Sequence, residues 1–449
     1  MNVYVKKKLL AKMEKELAAA AAAGTSIGQL PNNILVDILS RLPIKSVIRC
    51  RCVCKSFLFA ISQDPEFRPL HLSRSPPELI LSRYTEQLFL VDDYDDNEEP
   101  RYHQLNLLRF EGSYNYYLEA LNSTRGLLCV HIPYSCRPLC VFNPFTLEYT
   151  LIPPPLDLIG TTTKYFLLNF GFGYSPITDK YKALAIVQYK KTEYCTITTT
   201  TTFTAIYTVG SPSSSSWRRI QEDAPDVFFD KSPTYLNGSL YWIVTKKCHY
   251  YILSFDFDNE KFGEIAMPPP FDTVREKWFD PPEANLSVFE GLLSVCVLTD
   301  RRRVDLWVMK DCMDVNKSWY KELVVETVPD HVWSWGAFPL KYVNKDKEEV
   351  LLDFMGDDTL VKYNLIEKKI VKLNSLPFYN GTLKPLMHVP ILLPLKDLII
   401  GAEVHLITDA RHQWKEWIGN SVSSELESTP TFENDSEYDS VYSYYSDSE

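Results

Sequence analysis

Three closely spaced cysteines, Cys50, Cys52 and Cys54, are the residues best suited to metal chemistry. Thiolates bind zinc, but a structural zinc site needs four ligands, and no histidine or further cysteine lies near them at ligand spacing. On a helix, the side chain of Cys52 also points away from its two neighbours. The sequence therefore does not favour zinc, and it predicts neither a metal nor another cofactor.

Other sequence patterns of catalysis are missing. The eight histidines are scattered without an HExxH pattern, and no Gly-Lys-Ser/Thr follows a glycine-rich stretch. Gly171 and Gly173 lack the remaining glycine of a dinucleotide fingerprint, so they favour a strand leading into a turn. Triads assembled from distant positions stay open, because triads are recognised by geometry. The sequence itself therefore names no catalytic residue.

The formal charge of the chain is −11, and it is unevenly placed. Residues 420–449 contain no lysine or arginine and eight acidic residues: Glu425, Glu427, Glu433, Asp435, Glu437, Asp439, Asp447 and Glu449. The rest of the chain is nearly neutral. This balance argues against a nucleic-acid partner, because phosphate contacts need clustered lysine and arginine.

The sequence also bears on the compartment. Ten cysteines in 449 residues do not make a disulfide framework. The basic first residues lead into an alanine-rich stretch rather than the apolar core of a secretory signal. No run approaches the ~20 apolar residues of a membrane span, so no membrane partner is expected. We expect a protein with reduced thiols in the cytoplasm, the nucleus or both.

Residues 30–61 carry three short amphipathic helices punctuated by prolines. Pro31 suits the first position of the first helix, and Pro43 ends it, because the residue before a proline is disfavoured in the helical conformation. Apolar residues recur at helical spacing; they are Ile34, Leu35, Ile38, Leu39, Leu42, Ile44, Val47, Ile48, Phe57, Leu58 and Ile61. So many apolar side chains on so small a piece predict a partner's surface. From periodicity alone, the alternative that these helices only cap the rest of the chain is equally good.

From about residue 76 to 400, short apolar runs alternate with polar turns, and threonine, tyrosine, valine and isoleucine are frequent. This composition predicts many short strands, and so a propeller or a large sandwich. One pattern is a strand, Asn or Asp, a short turn and a second strand, as in CVFNPFTLEYTLIPPP, ILSFDFDNEKFGEIAMPPP and LVKYNLIEKKIVKLN. Such internal similarity favours blade-like units.

Two further patterns complete the predicted blade. A small-residue turn leads into an apolar strand in GLLCV, NGSLYWIV and GLLSVCV, which we predict to be the inner strands. Trp217 and Trp319 each follow a strand and a polar loop, and we predict that they pack between blades rather than stack on a ligand.

The two termini differ from the body in composition. Residues 1–25 are rich in alanine and lysine and predict a helical extension. Residues 420–449 are acidic, rich in Ser and Tyr and poor in aliphatics, which predicts disorder. Thr196–Thr202 is a low-complexity run that we place in a loop or an exposed hairpin.

The order Leu-Pro, helix, Arg-Leu-Pro, helix, Arg-Cys-Val-Cys-Lys-Ser-aromatic resembles the F-box of plant F-box proteins. This resemblance implies a three-helix F-box at residues 26–70 that binds the Skp-type adaptor of a cullin–RING ubiquitin ligase. It assigns adaptor contact to Leu30, Pro31, Ile34, Leu35, Ile38, Leu39, Leu42, Pro43, Val47, Ile48, Cys52, Val53, Lys55 and Phe57. Asn33 replaces the family's usual acid and Phe57 its usual tryptophan. The second change removes an indole N–H but keeps an apolar anchor, so we expect altered docking.

Residues 76–400 are similar to the F-box-associated domain of plant F-box proteins, a kelch-related group that includes the S-locus F-box type. The motifs that carry the resemblance are VFNPFTLEYTLIPPP, FGFGYSPITDKYKAL, SSWRRI, YLNGSLYWI and LSFDFDNEKFGEI. It implies an α+β multidomain chain, in which a mainly-β, propeller-like receptor for a target protein follows the F-box.

Together the two resemblances imply a non-catalytic substrate-recognition subunit of an SCF-type (Skp–cullin–F-box) ubiquitin ligase. It would hold an unknown target protein near a recruited conjugating enzyme. One rival is an F-box scaffold that binds adaptor without ligase output. Another is a propeller enzyme or small-ligand binder capped by helices, which predicts a polar, acid-lined central pocket.

Overall fold

The computed structural model describes the F-box region and most strands of the body. The described residues are 30–75, 77–83, 87–91, 102–105, 119–132, 138–159, 166–193, 196–210, 216–221, 224–225, 228–229, 232–246, 249–269, 283–299, 303–310, 319–326, 337–343, 346–354, 359–375 and 383–406. The predicted N-terminal helix and the acidic tail lie outside these residues.

Four short helices form the N-terminal region: α1 (Asn32–Leu39), α2 (Ile44–Cys50), α3 (Lys55–Ser62) and α4 (Phe67–Arg74). The first three confirm the predicted helices, whereas α4 was not predicted. Pro31 has ψ of 142°, so it precedes α1 rather than occupying its first turn. The first helix also ends earlier than expected, because the chain leaves the helix at Ser40, before Pro43.

The helices share one small core, formed by Leu35, Val36, Leu39, Leu42, Val47, Ala60, Ile61 and Phe67. Helix α4 is held on it by polar contacts as well. The imidazole of His71, 3% exposed, lies 3.2 Å from the carbonyl oxygen of Leu42 and stacks on Phe67. Burial lowers the pKa of His71. Arg74 pairs with Asp37 of α1 at 2.9 Å.

The described part of the body contains 26 strands in six sheets. From the inner strand outward, the first sheet is β25 (Leu383–His388), β1 (Glu78–Arg83), β2 (Gln87–Val91) and β3 (Tyr102–Leu105), and the second is β4 (Glu119–Thr124), β5 (Leu127–His131), β6 (Leu139–Asn143), β7 (Glu148–Ile152) and β26 (His405–Leu406). The third is β8 (Phe166–Ser175), β9 (Lys180–Glu193), β10 (Thr196–Thr208) and β11 (Arg218–Arg219).

The other three sheets follow in chain order. The fourth has β12 (Phe228–Phe229) and β13 (Thr234–Leu236) beside β14 (Ser239–Lys246), then β15 (His249–Asp256) and β16 (Lys261–Ala266). The fifth is β17 (Glu283–Phe289), β18 (Leu292–Thr299), β19 (Arg303–Met309) and β20 (Trp319–Val325); the sixth is β21 (Ala337–Tyr342), β22 (Glu349–Phe354), β23 (Thr359–Asn364) and β24 (Lys369–Ser375). Two single-turn helices, α5 (Leu156–Ile159) and α6 (Leu395–Leu398), lie outside the sheets.

The sheets are the blades of a closed six-bladed propeller. A separate apolar cluster fills each of the six gaps between neighbouring blades, including the gap between the sixth blade and the first. Because side chains alternate along a strand, Leu79 and Leu81 face the sixth blade while Ile80 faces the second. The ring closes within the first blade, where β25 pairs with β1. The expected mainly-β propeller is therefore confirmed.

The order of strands within a blade corrects one prediction. The three strands that follow the small-residue turns, β5, β14 and β18, are second from the axis, and β4, β13 and β17 lie inside them. Residues Leu127–Val130 are all buried because blades cover β5 on both faces. Such a continuous apolar run gives no sign of radial position. The polar β4, with sequence EALNST, was not recognised as a strand.

The three Asn/Asp patterns are the hairpins between the third and fourth strands of blades two, four and six, as predicted. In each, the side-chain oxygen of Asn143, Asp256 or Asn364 accepts backbone N–H groups two and three residues ahead. This local turn explains why Asn or Asp recurs there.

Both predicted tryptophans pack between blades. Trp217 is 7% exposed among residues of blades two and three, and its Nε1 donates to the carbonyl of Pro153 at 2.6 Å. Trp319 packs between blades four and five and donates to Ala266 O at 2.9 Å. The threonine run lies in the long β9–β10 hairpin, which confirms the hairpin alternative.

Candidate partner-binding surfaces

The propeller has two ends that differ in their connections. Successive strands of a blade run antiparallel, so first-to-second and third-to-fourth turns share one end. The helical region joins this end, because Ser75 leads into β1 and Glu78 pairs with His388 at the end of β25. We call it the F-box face. At the opposite end, which we call the loop face, the last strand of one blade ends and the first strand of the next begins, as at Ile152 and Phe166.

The helices leave a broad apolar surface uncovered on the N-terminal region. We define the docking surface as the exposed apolar side chains Leu30 (37% exposed), Ile34 (43%), Ile48 (37%), Val53 (67%), Leu58 (43%) and Phe59 (50%). Pro31, Cys52 and Lys55 are exposed beside them. Six exposed large apolar side chains on a region of four short helices make this region a candidate interaction surface.

Four of the residues assigned to adaptor contact lie elsewhere. Leu35, Leu39, Leu42 and Val47 are at most 7% exposed and form the core of the helical region. Helical periodicity identified them as apolar but did not show that a fourth helix covers them. These four side chains therefore pack inside the helical region, and their contact with an adaptor stays a prediction.

Three other assigned residues, Ile38, Pro43 and Phe57, are half-buried. Phe57 packs against the helical core, whereas its neighbours Leu58 and Phe59 point to solvent. The sequence reasoning missed Leu58 and Phe59 as surface residues. The signal was the spacing of Phe57, Ala60 and Ile61, which forms the inward stripe of α3 and leaves the other apolar residues outside.

The charge of the docking surface is positive. Arg49, Arg51 and Lys55 are exposed around it. The nearby Asp37 is already occupied, since its carboxylate pairs with Arg41 at 3.0 Å and with Arg74. The hydrogen bond from Arg41 lowers the pKa of Asp37. A partner with acidic groups around an apolar centre therefore fits this surface.

The cysteines of this region lie at the end of α2 and the start of α3. Cys52 is exposed, while Cys50 is partly buried, and burial raises the pKa of the Cys50 thiol. Among the described residues, no group of three or more His, Cys, Asp or Glu side chains could hold a metal ion.

The polar side chains at the centre of the loop face were not predicted. Glu119, at the start of β4, accepts a hydrogen bond from Ser232 Oγ at 2.5 Å, and its other oxygen lies 3.7 Å from His131 Nε2. The hydroxyl thus donates to the carboxylate and not to the imidazole. A nucleophile needs an adjacent base, so this group does not have the arrangement of a hydrolytic triad. It ties the second blade to the fourth across the axis.

No helix in the described part of the chain is long and apolar enough to cross a membrane.

Two family models match the chain, in the order of the two structural regions. Residues 27–68 match the F-box domain, and residues 79–375 match the F-box associated beta propeller domain. The second match spans well over half of the chain. The protein therefore belongs to the F-box proteins with an F-box-associated propeller, as the sequence resemblance implied.

Its relatives include plant members of that family. It is 29% identical over 371 residues to F-box protein CPR1 of Arabidopsis thaliana. This alignment covers 77% of this chain and 84% of the relative. It is 28% identical over 327 residues to an F-box/kelch-repeat protein of the same plant, covering 68% and 81%. Among solved structures, TolB from Acinetobacter baumannii aligns with a TM-score of 0.37 at 12% identity, over 70% of this chain and 66% of that one.

Proposed function

We propose that the protein is the substrate-recognition subunit of an SCF-type ubiquitin ligase. Its docking surface would bind a Skp-type adaptor, and through it a cullin, while the loop face would bind a target protein. The observation that carries the proposal is that the docking surface lies on the helical region at one end of the propeller, whereas the loop face is the other end. A target held on the loop face leaves the docking surface free for adaptor.

The proposal assigns no catalytic residue to this chain. Holding a target close to a loaded conjugating enzyme raises the local concentration of the reacting groups, and that is the contribution required of a receptor. Such a ligase component would work in the cytoplasm, the nucleus or both.

The docking surface is tested by co-purification of the full chain with a Skp-type adaptor. Val53→Asp and Phe59→Asp each place a charge on an exposed apolar position, and we expect each to weaken binding about tenfold or more, because a few central apolar residues carry most interface energy. Ile366→Asp is the matched control, since Ile366 is 68% exposed on the sixth blade. Adaptor binding that survives both F-box changes, or that falls equally with Ile366→Asp, would sink the proposal.

A reconstituted ubiquitination assay separates the receptor from a scaffold. Candidate targets are first identified by proximity labelling under proteasome inhibition. They are then added to the assay as substrates. A receptor transfers ubiquitin to at least one of them only when the docking surface is intact, whereas a scaffold binds them without transfer.

A further inference from the structure

The segment that follows the closing strand crosses the F-box face instead of leaving the molecule. Residues 389–406, here called the C-terminal strap, run from the end of β25 near the axis to the outer edge of the second blade. There β26 pairs with β7, so that His405 lies opposite Tyr149. The strap thus lies where the helical region and the propeller meet.

Polar side chains of the second blade bind the backbone of the strap. Asn143, which is fully buried, donates from Nδ2 to the carbonyl oxygens of Ile391 and Leu393, each at 3.0 Å. Glu148 accepts a hydrogen bond from the N–H of Leu395. Leu395 and Ile399 are at most 2% exposed in the apolar cluster between the second and third blades.

Two turns of the propeller lack side chains where the strap passes. A Cβ on Gly126 would lie 2.1 Å from Cγ2 of Ile391, and one on Gly210 would lie 2.5 Å from the carbonyl oxygen of Ile400. Both glycines also have positive φ, of 85° and 77°. The surface of the propeller is therefore shaped to receive the strap.

The other side of the strap contacts the helical region. Leu392 packs against the core formed by α1 to α4. Asp397 pairs with Arg68 of α4 at 3.4 Å, and both side chains are about one-third exposed. The covalent path between the two regions is short, since α4 ends at Arg74 and β1 begins at Glu78.

The role of Asn143 distinguishes it from its counterparts. Asp256 and Asn364 form the same turn in the fourth and sixth blades, and their described hydrogen bonds stay within that turn. Of these three side chains, Asn143 is the one with described hydrogen bonds to a distant segment.

We propose that the C-terminal strap fixes the F-box on the propeller in one orientation and so sets the span between docking surface and loop face. Without its contacts, the orientation of the F-box on the propeller would no longer be fixed. The fixed orientation can be measured without adaptor, whereas its effect on ubiquitin transfer rests on the proposed function.

Single-molecule fluorescence transfer in the full-length chain tests the proposal. Dyes are attached through non-canonical amino acids at Gln63, exposed at the end of α3, and at Ile177, 80% exposed on a turn of the third blade. Asn143→Asp keeps the oxygen that forms the turn but removes the N–H donors to the strap. Asn364→Asp makes the same change at the matched turn.

We expect a single narrow distribution of transfer efficiencies for the wild type and for Asn364→Asp. For Asn143→Asp we expect a second, broader population, because loss of two buried hydrogen bonds changes the ratio of docked to undocked molecules about 30-fold. A single wild-type population in a folded Asn143→Asp, or equal broadening in Asn364→Asp, overturns the proposal.

A second pair of variants decides the matter if Asn143→Asp does not fold. Arg68→Asp sets two carboxylates against each other at the strap, and adding Asp397→Arg restores the pair with reversed charges. We expect the distribution of transfer efficiencies to broaden in Arg68→Asp and to narrow again in the double variant. An Arg68→Asp protein with the narrow wild-type distribution refutes the orienting role of the strap. Adaptor co-purification is followed in parallel. If the wild type does not bind adaptor, the proposed function is refuted. The proposal about the strap is unaffected, because the dye measurement does not depend on adaptor binding.

Discussion

His388 predicts how the stability of the propeller depends on pH. It is the last residue of the closing strand and is fully buried. Ser123 Oγ lies 2.9 Å from its Nδ1, its Nε2 has no hydrogen-bond partner, and its ring stacks on Phe145. Burial lowers the pKa of His388 to about 3. The folded protein therefore keeps this imidazole neutral.

The magnitude follows from proton linkage. In the unfolded chain the pKa of histidine is about 6.5. Below that pH the unfolded state binds a proton that the folded state does not, so the contribution to stability is complete above about pH 6.5 and is lost as the pH falls towards 3. Between about pH 7 and about pH 5.5 the loss is about 1.3 kcal/mol. This figure depends on the unfolded pKa and hardly changes for any folded pKa below about 4.

The test compares urea unfolding of the wild type and His388→Gln, followed by tryptophan fluorescence at about pH 7 and about pH 5.5. Glutamine keeps a polar group near Ser123 but does not titrate, and its own packing cost cancels between the two pH values. The wild type should lose about 1.3 kcal/mol more free energy of unfolding than the variant on acidification. Equal losses in the two proteins would refute the assignment of a neutral, buried His388.

Two further predictions concern contacts between blades. Trp217→Phe removes a buried indole and its hydrogen bond, so we expect the free energy of unfolding to fall by about 2–3 kcal/mol; a change below that of the more exposed Trp319→Phe would contradict the packing role. Lys182, 7% exposed, donates to the Phe257 carbonyl at 2.8 Å and pairs with Glu260 at 3.3 Å. Lys182→Met should cost about 2 kcal/mol because the Phe257 carbonyl loses its buried donor, whereas Glu260 keeps its pair with Arg218 at 2.8 Å; an unchanged urea midpoint would refute it.

Local chemistry was predictable from the sequence. The Asx turns at Asn143, Asp256 and Asn364 need only a side-chain oxygen and the next three residues, so the pattern identified the hairpins correctly. The two prolines and the apolar spacings of residues 30–61 likewise defined three helices. These features depend on neighbours along the chain.

Long-range placement was not predictable. Strand β5 is apolar because blades cover both its faces. Its sequence therefore did not show that β4 lies closer to the axis. Periodicity could not tell which apolar residues of the F-box face inward, so it did not show that Leu35 and Val47 pack in the core of the helical region. The strap has no repeating pattern at all, and its place depends on Asn143, almost 250 residues earlier.

Because β25 pairs with β1, the propeller ring can close only after residues 383–388 have been synthesised. Residues 78–91 emerge from the ribosome early, but their inner neighbour, residues 383–388, is made more than 290 residues later. Until then the first blade has an open inner edge, which is a template for pairing with another chain. A message cut short before codon 383 would yield a complete F-box on an unclosed propeller. Under the proposed function, such a product would occupy adaptor while delivering no target.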